Sequence, residues 1–265
     1  MIKKLLLLLI SLVLIPIIAY NGFKHYQESQ KIEQFINENG WSKKPPTWDL
    51  AIEISDTIRH QMNTQSATFI HVDRVPEPFL SYSCLDILDW MEGTCGKGAR
   101  VLVKVLTKCG FDATRISLYG KGFGNSTSHT LVSIIINGEE YFIDTVNAPE
   151  GFNDMVRNHQ LNTKKLNIAS YINRRGSAEN SHDSITTAFQ NKFCMYNYEA
   201  IQLSKVMKLA GLDVWVFNMK RPPATISNLV ESIYLIHVIF LSTIWIVLNL
   251  LWLVLFRFKT QKRKK

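Results

Sequence analysis

The sequence predicts an α+β domain held between two membrane-crossing helices: a helix that begins at a cysteine, packed on an antiparallel sheet. Three observations predict it. Apolar residues at helical spacing follow Cys95, with Val101, Leu102, Val105 and Leu106 on one face. Two alternating runs, 129–136 and 139–145, are joined by Asn137-Gly138, the strongest two-residue hairpin signal. Two long apolar runs lie near the chain ends, at 5–20 and 233–256.

The second apolar run reaches the length of about 20 residues that a bilayer-crossing helix needs. It carries Trp245 and Trp252, with Tyr234 near one end, as membrane helices often do. His237 and Asn249 are its strongly polar members: a buried pair or a bundle partner is one reading, and tolerated single polar residues are the expectation. The first run follows Lys3 and Lys4 like a signal sequence, but no small-x-small cleavage site follows, since Ala19 precedes Tyr20-Asn21-Gly22-Phe23. An uncleaved signal anchor is the expectation.

Charge separates the flanks from the domain. The chain has 30 Lys and Arg against 22 Asp and Glu. Lys3, Lys4, Arg257, Lys259, Lys262, Arg263, Lys264 and Lys265 supply the whole excess, so residues 5–256 are neutral. The basic pI of 9.3 therefore marks membrane flanks and excludes a nucleic-acid-binding face as its source. Basic flanks stay on the cytoplasmic side. The expected topology is N-in and C-in, with the intervening domain extracytoplasmic. The C-terminal helix would also offer a surface to a membrane-protein partner.

The expected organisation is a signal anchor at 1–20, a stalk and helical part at 21–80, and a core at 81–150. A C-terminal part and linker follow at 151–228, then a membrane helix at 229–257 and a basic tail at 258–265. Pro45 and Pro46 interrupt the first helical stretch. Thr47 or Asp49 then caps a helix to about residue 62 with Leu50, Ile54 and Ile58 on one face. A short helix is expected at 85–91 and the cysteine helix at 95–108, closed by Gly110. A strand at 113–119 precedes a Gly- and Ser-rich loop at 120–128. Residues 191–210 are expected to be helical, and Lys220-Arg221-Pro222-Pro223 to mark the linker into the second span.

Cys95, His129 and Asp144 are the candidate catalytic residues. A thiol attacks as thiolate, and the positive end of a helix and a nearby imidazole both favour that form. A carboxylate can hold one ring nitrogen of the histidine and set its tautomer. Counting outward from the turn pairs Ile136 with Glu139, Ser133 with Phe142 and Leu131 with Asp144. His129 then pairs with Val146, one diagonal step from Asp144. The blander readings are an inert buried thiol at 95, a strand-end histidine at 129 and a turn aspartate at 144. Cys84 and Cys109 read as core or bridge residues. His25, His60, His71, His159 and His182 show no metal-ligand spacing. No metal or cofactor is implied.

The stretch Gly93-Thr94-Cys95-Gly96, with Leu102, Leu106, Gly110-Phe111-Asp112-Ala113-Thr114-Arg115, Ser128-His129 and Asn137-Gly138-Glu139-Glu140-Tyr141-Phe142-Ile143-Asp144, resembles the transglutaminase-like domain, a papain-like cysteine enzyme in the broad sense. The resemblance covers residues 85–149, roughly a quarter of the chain. It implies a papain-like core with Cys95 as nucleophile, His129 as base and Asp144 as orienting acid. Thr130-Leu131 follows the histidine where the family often has an aromatic residue, and Thr145-Val146 follows the aspartate where Pro is common. These departures bear on substrate preference. Besides the Cys95 N–H, the positions considered for an oxyanion donor are Tyr82, Ser83 and Trp90.

The expected activity is acyl transfer at an amide of a protein or peptide substrate, through a thioester. Hydrolysis is favoured over transfer to an amine, which would cross-link proteins. A non-catalytic binding or scaffold module is the alternative from another class.

Overall fold

A computed structural model describes residues 2–66, 83–90, 95–118, 129–143, 194–196, 221 and 223–261. The chain divides into two compact units, Gln30–Glu231 and the pair of segments Met1–Ser29 and Ser232–Lys265. Helix α1 (Ile2–Glu38) contributes to both.

The larger unit is a mixed helix and antiparallel-sheet domain. After α1 come α2 (Trp48–Ser66), α3 (Cys84–Trp90), α4 (Cys95–Lys108), β1 (Asp112–Leu118), β2 (His129–Ile136), β3 (Glu139–Ile143), β4 (Cys194–Tyr196) and α5 (Ala224–Glu231). Local chemistry sets the helix boundaries. Gly40 (φ +70°) and Gly110 (φ +88°) end α1 and α4 in the left-handed conformation that glycine adopts without strain. At each end an N–H reaches back across the last turn, Trp41 to the Ile36 carbonyl and Phe111 to the Leu106 carbonyl, both at 3.0 Å. Thr47 caps α2, its hydroxyl accepting from the Leu50 N–H at 3.3 Å. Ser83 and Asp86 form a reciprocal capping box at the start of α3.

The sheet runs in the order β3-β2-β1-β4, antiparallel throughout. Asn137 (φ 52°) and Gly138 (φ 79°) make the expected tight hairpin turn. The β2–β3 register is the one the turn predicts, from Ile136↔Glu139 through Ser133↔Phe142 to Val132↔Ile143. Asp144 and Thr145, expected to extend this strand, lie outside the described residues. β1 pairs with β2 from Asp112↔Ile135 to Leu118↔His129. Cys194–Tyr196 pairs with β1 at Ile116–Leu118, which corrects the expected helix at 191–210 for these three residues. A short run such as Cys-Met-Tyr has no periodicity of its own, and pairing with an established strand edge decides its conformation.

The core is built around α4. Ala99, Leu102, Val103, Val105 and Leu106 are fully buried, packed with Ile54 and Ile58 of α2, Cys84 and Ile87 of α3, and Ala113, Val132 and Ile134 of the sheet. Trp41 is buried beside them. Its ring meets Phe35 edge-on at 5.5 Å and its Nε1 donates to Glu53 at 2.9 Å. Toward the β3 edge of the sheet, Trp48 packs on Tyr141 with ring centroids 5.1 Å apart.

Arg221, in the stretch expected to mark the linker into the second span, is held against this core. Arg221 donates to Asp112 Oδ1 at 2.8 Å, to the Asp112 carbonyl at 2.9 Å and to Ser133 Oγ at 3.1 Å. Ser133 in turn bonds Glu140. Along α5, Ser227 Oγ donates to Thr114 Oγ1 at 2.9 Å, and the Asn228 carbonyl accepts from Lys104 at 3.1 Å. The Glu231 carboxylate, fully buried, is shared: Arg100 lies 2.9 Å from one oxygen and Arg115 2.9 Å from the other. Burying charge is costly unless it is paired, so α4 and β1 keep these two arginines inside only with α5 in place.

The smaller unit comprises the first part of α1 and α6 (Ile233–Gln261). Both helices are long and apolar enough to cross a membrane, with candidate spans at Leu8–Glu38 and Ile233–Val254. His237 and Asn249 are not the isolated polar residues expected from the sequence. His237 Nδ1 lies 3.0 Å from Asn21 Oδ1, and Asn249 Nδ2 donates to Ser11 Oγ at 3.0 Å. A polar side chain surrounded by apolar residues gains from a partner, and α1 supplies one for each.

Truncating the shared carboxylate should be far costlier than breaking a surface pair. Glu231→Ala is expected to destabilise the larger unit by about 3–5 kcal/mol, because two guanidinium groups lose a buried counter-charge. Lys44→Ala, which breaks a half-exposed pair with Glu53, should cost less than about 1 kcal/mol. Chemical denaturation of the two variants checks the contrast, and equal losses would contradict it.

Candidate active site

Helix α4 begins at Cys95, as the sequence predicts, and β2 begins at His129. The two starts are brought together by the residues next to them. A Cβ built on Gly96 would lie 3.8 Å from Thr130 Oγ1, an ordinary van der Waals contact. Each member of this contact is one residue on from a candidate catalytic residue. Thr130 is buried, as are Val132 and Ile134, the next two residues on its side of β2. Leu131 and Ser133 alternate to the other face, where Ser133 meets Arg221.

The first turn of α4 holds no acidic residue. Its N-terminal N–H groups carry the partial positive charge of the helix, and Lys97 adds a further cation in the same turn. Both favour an anion at this end. The side chains of Cys95 and His129, and all of Asp144, lie outside the described residues. The β2–β3 ladder is described to Val132↔Ile143, one pair short of the Leu131–Asp144 pair expected. The loop at 120–128 also lies outside.

Of the positions considered for a second oxyanion donor, Ser83 is otherwise engaged. Its hydroxyl bonds Asp86 Oδ2 at 2.6 Å and its N–H bonds the same oxygen at 3.2 Å. These bonds hold it in the α3 cap. Tyr82 and the Trp90 side chain lie outside the described residues.

The other described cysteines contrast with Cys95 in setting. Cys84 and Cys109 are both in the thiol form, and Cys84 is buried in the core. Burial pushes the Cys109 thiol up to about 11, so at neutral pH only about one molecule in 10,000 carries its thiolate. Cys109 ends α4, at the negative end of the same helix whose positive end begins at Cys95. A cavity of about 250 Å³ elsewhere in this unit is lined by Lys31, Gln34, Phe35, Glu38, Asn39, Gln61 and Leu88. Its lining carries no nucleophile and none of the candidate catalytic residues.

Sequence reasoning did not single out Thr130, Arg221 or Glu231. Thr130 is the residue of β2 that approaches Gly96, which only the packing of the two elements reveals. Arg221 and Glu231 act on partners about a hundred residues earlier, so no local pattern marks them.

No protein-family model matches this chain, and comparison with curated proteins finds no match.

The raised Cys109 pKa makes a pH prediction. The folded chain holds the thiol proton from the ordinary value of 9.0 up to about 11, whereas the unfolded chain releases it near 9.0. The stability this contributes is fully present below pH 9 and is lost as pH rises from about 9 to 11. Cys109→Val should remove that part of the alkaline decline. Denaturation midpoints for the two proteins across pH 8–11 check it, and parallel curves would count against it.

Proposed function

We propose that this protein is a membrane-anchored, extracytoplasmic cysteine enzyme of the transglutaminase-like, papain-like kind, acting on amide bonds of a protein or peptide. The observation that carries the reading is the approach of Gly96 to Thr130, where an added Cβ would lie 3.8 Å from Thr130 Oγ1, which puts the first turn of α4 near the start of β2. It supports a nucleophile at one element's start and a base at the other's.

In this reading Cys95 Sγ, deprotonated by the His129 ring, attacks the carbonyl carbon of the amide. A C–S bond forms and the carbonyl π electrons move to oxygen. The Cys95 N–H at the helix start stabilises that oxyanion. Collapse of the intermediate breaks the C–N bond, and the imidazolium gives its proton to the departing amine. The thioester is then attacked by water, releasing a carboxylic acid and restoring the thiol. Attack by an amine instead gives a new amide, which would make the protein a cross-linking acyltransferase. Asp144 orients the imidazole from β3's end. The reading requires the His129 ring, and the Asp144 carboxylate that the hairpin register assigns to its face, to come round to the side that Thr130 takes, so that strand alternation gives way at both positions.

The membrane orientation belongs to the same proposal. Neutral charge over residues 5–256 and basic groups at both flanks support N-in, C-in insertion with the domain outside. The alternative, a scaffold that keeps the fold without chemistry, predicts no His129-dependent reactivity.

A peptidyl acyloxymethyl ketone separates the two. It is expected to label Cys95 in the membrane-embedded full chain, with Cys95→Ser unlabelled and His129→Ala labelled at least about 100-fold more slowly. Labelling of Cys95 at the same rate in His129→Ala would overturn the enzyme reading. With an added primary amine, an amine-substituted peptide product in place of free acid would assign transfer over hydrolysis.

A further inference from the structure

Within the smaller unit, the polar side chains of the two apolar helices pair across from one helix to the other. On α1, Ser11 is only 7% exposed while Leu12 and Val13 beside it are 54% and 60% exposed. Asn21 is 8% exposed beside Tyr20 at 58%. The residues α1 turns inward are therefore its polar ones, and the apolar ones face out. On α6, Asn249 is half-buried together with Trp245, Leu248 and Trp252, while Leu250 and Leu251 beside it are largely exposed.

Each contact is built in the same way. The Asn249 amide donates one hydrogen to its own helix, at the Trp245 carbonyl four residues back (2.7 Å), and one across to Ser11 Oγ (3.0 Å). The Asn21 amide likewise donates to its own helix at the Ile17 carbonyl (2.8 Å), which leaves Oδ1 facing His237 Nδ1 at 3.0 Å. With Asn21 Oδ1 an acceptor, Nδ1 of His237 carries the proton. The bond to the helix's own backbone fixes each asparagine rotamer and aims its other group at the partner.

The order of the contacts fixes the direction of the helices. Moving from Ser11 to Asn21 along α1 corresponds to moving from Asn249 back to His237 along α6. The advances of ten and twelve residues are about 15 Å and 18 Å of helix rise. The two segments are antiparallel, so the start of α1 and the end of α6 lie toward the same end of this unit.

We infer that α1 is a permanent half of an intramembrane helical hairpin, retained in the mature protein, with α6 as its partner and the Ser11–Asn249 and Asn21–His237 pairs as the devices that set its register. Apolar surfaces alone give lipid-embedded helices no hydrophobic reason to associate, so interhelical polar bonds and close packing decide the partner. Removal of the N-terminal segment would leave the outward-reaching groups of Asn249 and His237 facing acyl chains, where an unmatched polar group is costly. The inference stands apart from the proposed chemistry.

Two measurements on the full chain test it. Intact mass of the membrane-extracted protein should include residues 1–21, and a mature chain that begins after Asn21 would overturn the inference. A bifunctional thiol reagent spanning about one helix turn, about 5 Å, should then link Ser11→Cys with Asn249→Cys, and Asn21→Cys with His237→Cys, within one chain. The mismatched pair Ser11→Cys with His237→Cys should not link, since about 15 Å of helix separates those levels. Linkage of the mismatched pair as readily as the matched ones, or of matched pairs only between two copies of the chain, would contradict it. The two matched pairs are independent, so a misfolded variant of one leaves the other decisive.

Discussion

The larger unit depends on how α4 is buried. This helix is enclosed on nearly every side, yet it carries Arg100 and Lys104 one turn apart, both almost fully buried. An apolar neighbour on that side would leave two cations desolvated without compensation. α5 answers them at matching spacing, with Glu231 opposite Arg100 and the Asn228 carbonyl opposite Lys104. The same carboxylate also holds Arg115 of β1, so one side chain ties a helix, a strand and the end of the domain's chain. The sheet covers the apolar side of α4, where Val132 and Ile134 meet its aliphatic residues. The position of the α4 start, and of Cys95 with it, follows from these two opposed contacts.

What was legible in the sequence was local. Asn137-Gly138 fixed the hairpin turn, and counting outward from it reproduces every described β2–β3 pair. Thr47 and Gly110 mark helix ends because capping and left-handed residues act on the adjacent turn. The cysteine helix and the order of α4, β1, β2 and β3 were readable for the same reason. The rest needed partners distant in the chain. Three residues of β4 became a strand by joining β1, and Arg221 left the expected linker because Asp112 and Ser133 offered it acceptors. In the candidate site, the starts of α4 and β2 were foreseen, but Thr130 as the residue that joins them was not.

The membrane segments show the same division. Length and hydropathy mark two helices able to cross a membrane, whereas the pairing of His237 with Asn21 and of Asn249 with Ser11 depends on which helix faces which. Asparagine in an apolar run looks like a defect when the run is read alone. Bonded to its own backbone at one limb and to a neighbour at the other, it becomes a means of choosing a partner. Charge works on a coarser scale, since eight flanking cations account for the entire net charge and leave the domain neutral.

The proposed chemistry requires the α4 start to make Cys95 a nucleophile, while burial holds the Cys109 thiol protonated. The rate of iodoacetamide alkylation at each cysteine, resolved by mass spectrometry of the full chain across pH 5–11, tests it most directly. The account predicts rapid modification of Cys95 at neutral pH, slowed by His129→Gln, with Cys109 reacting only as pH approaches about 11. Cys95 reacting no faster than Cys109 at neutral pH, or unaffected by His129→Gln, would contradict it.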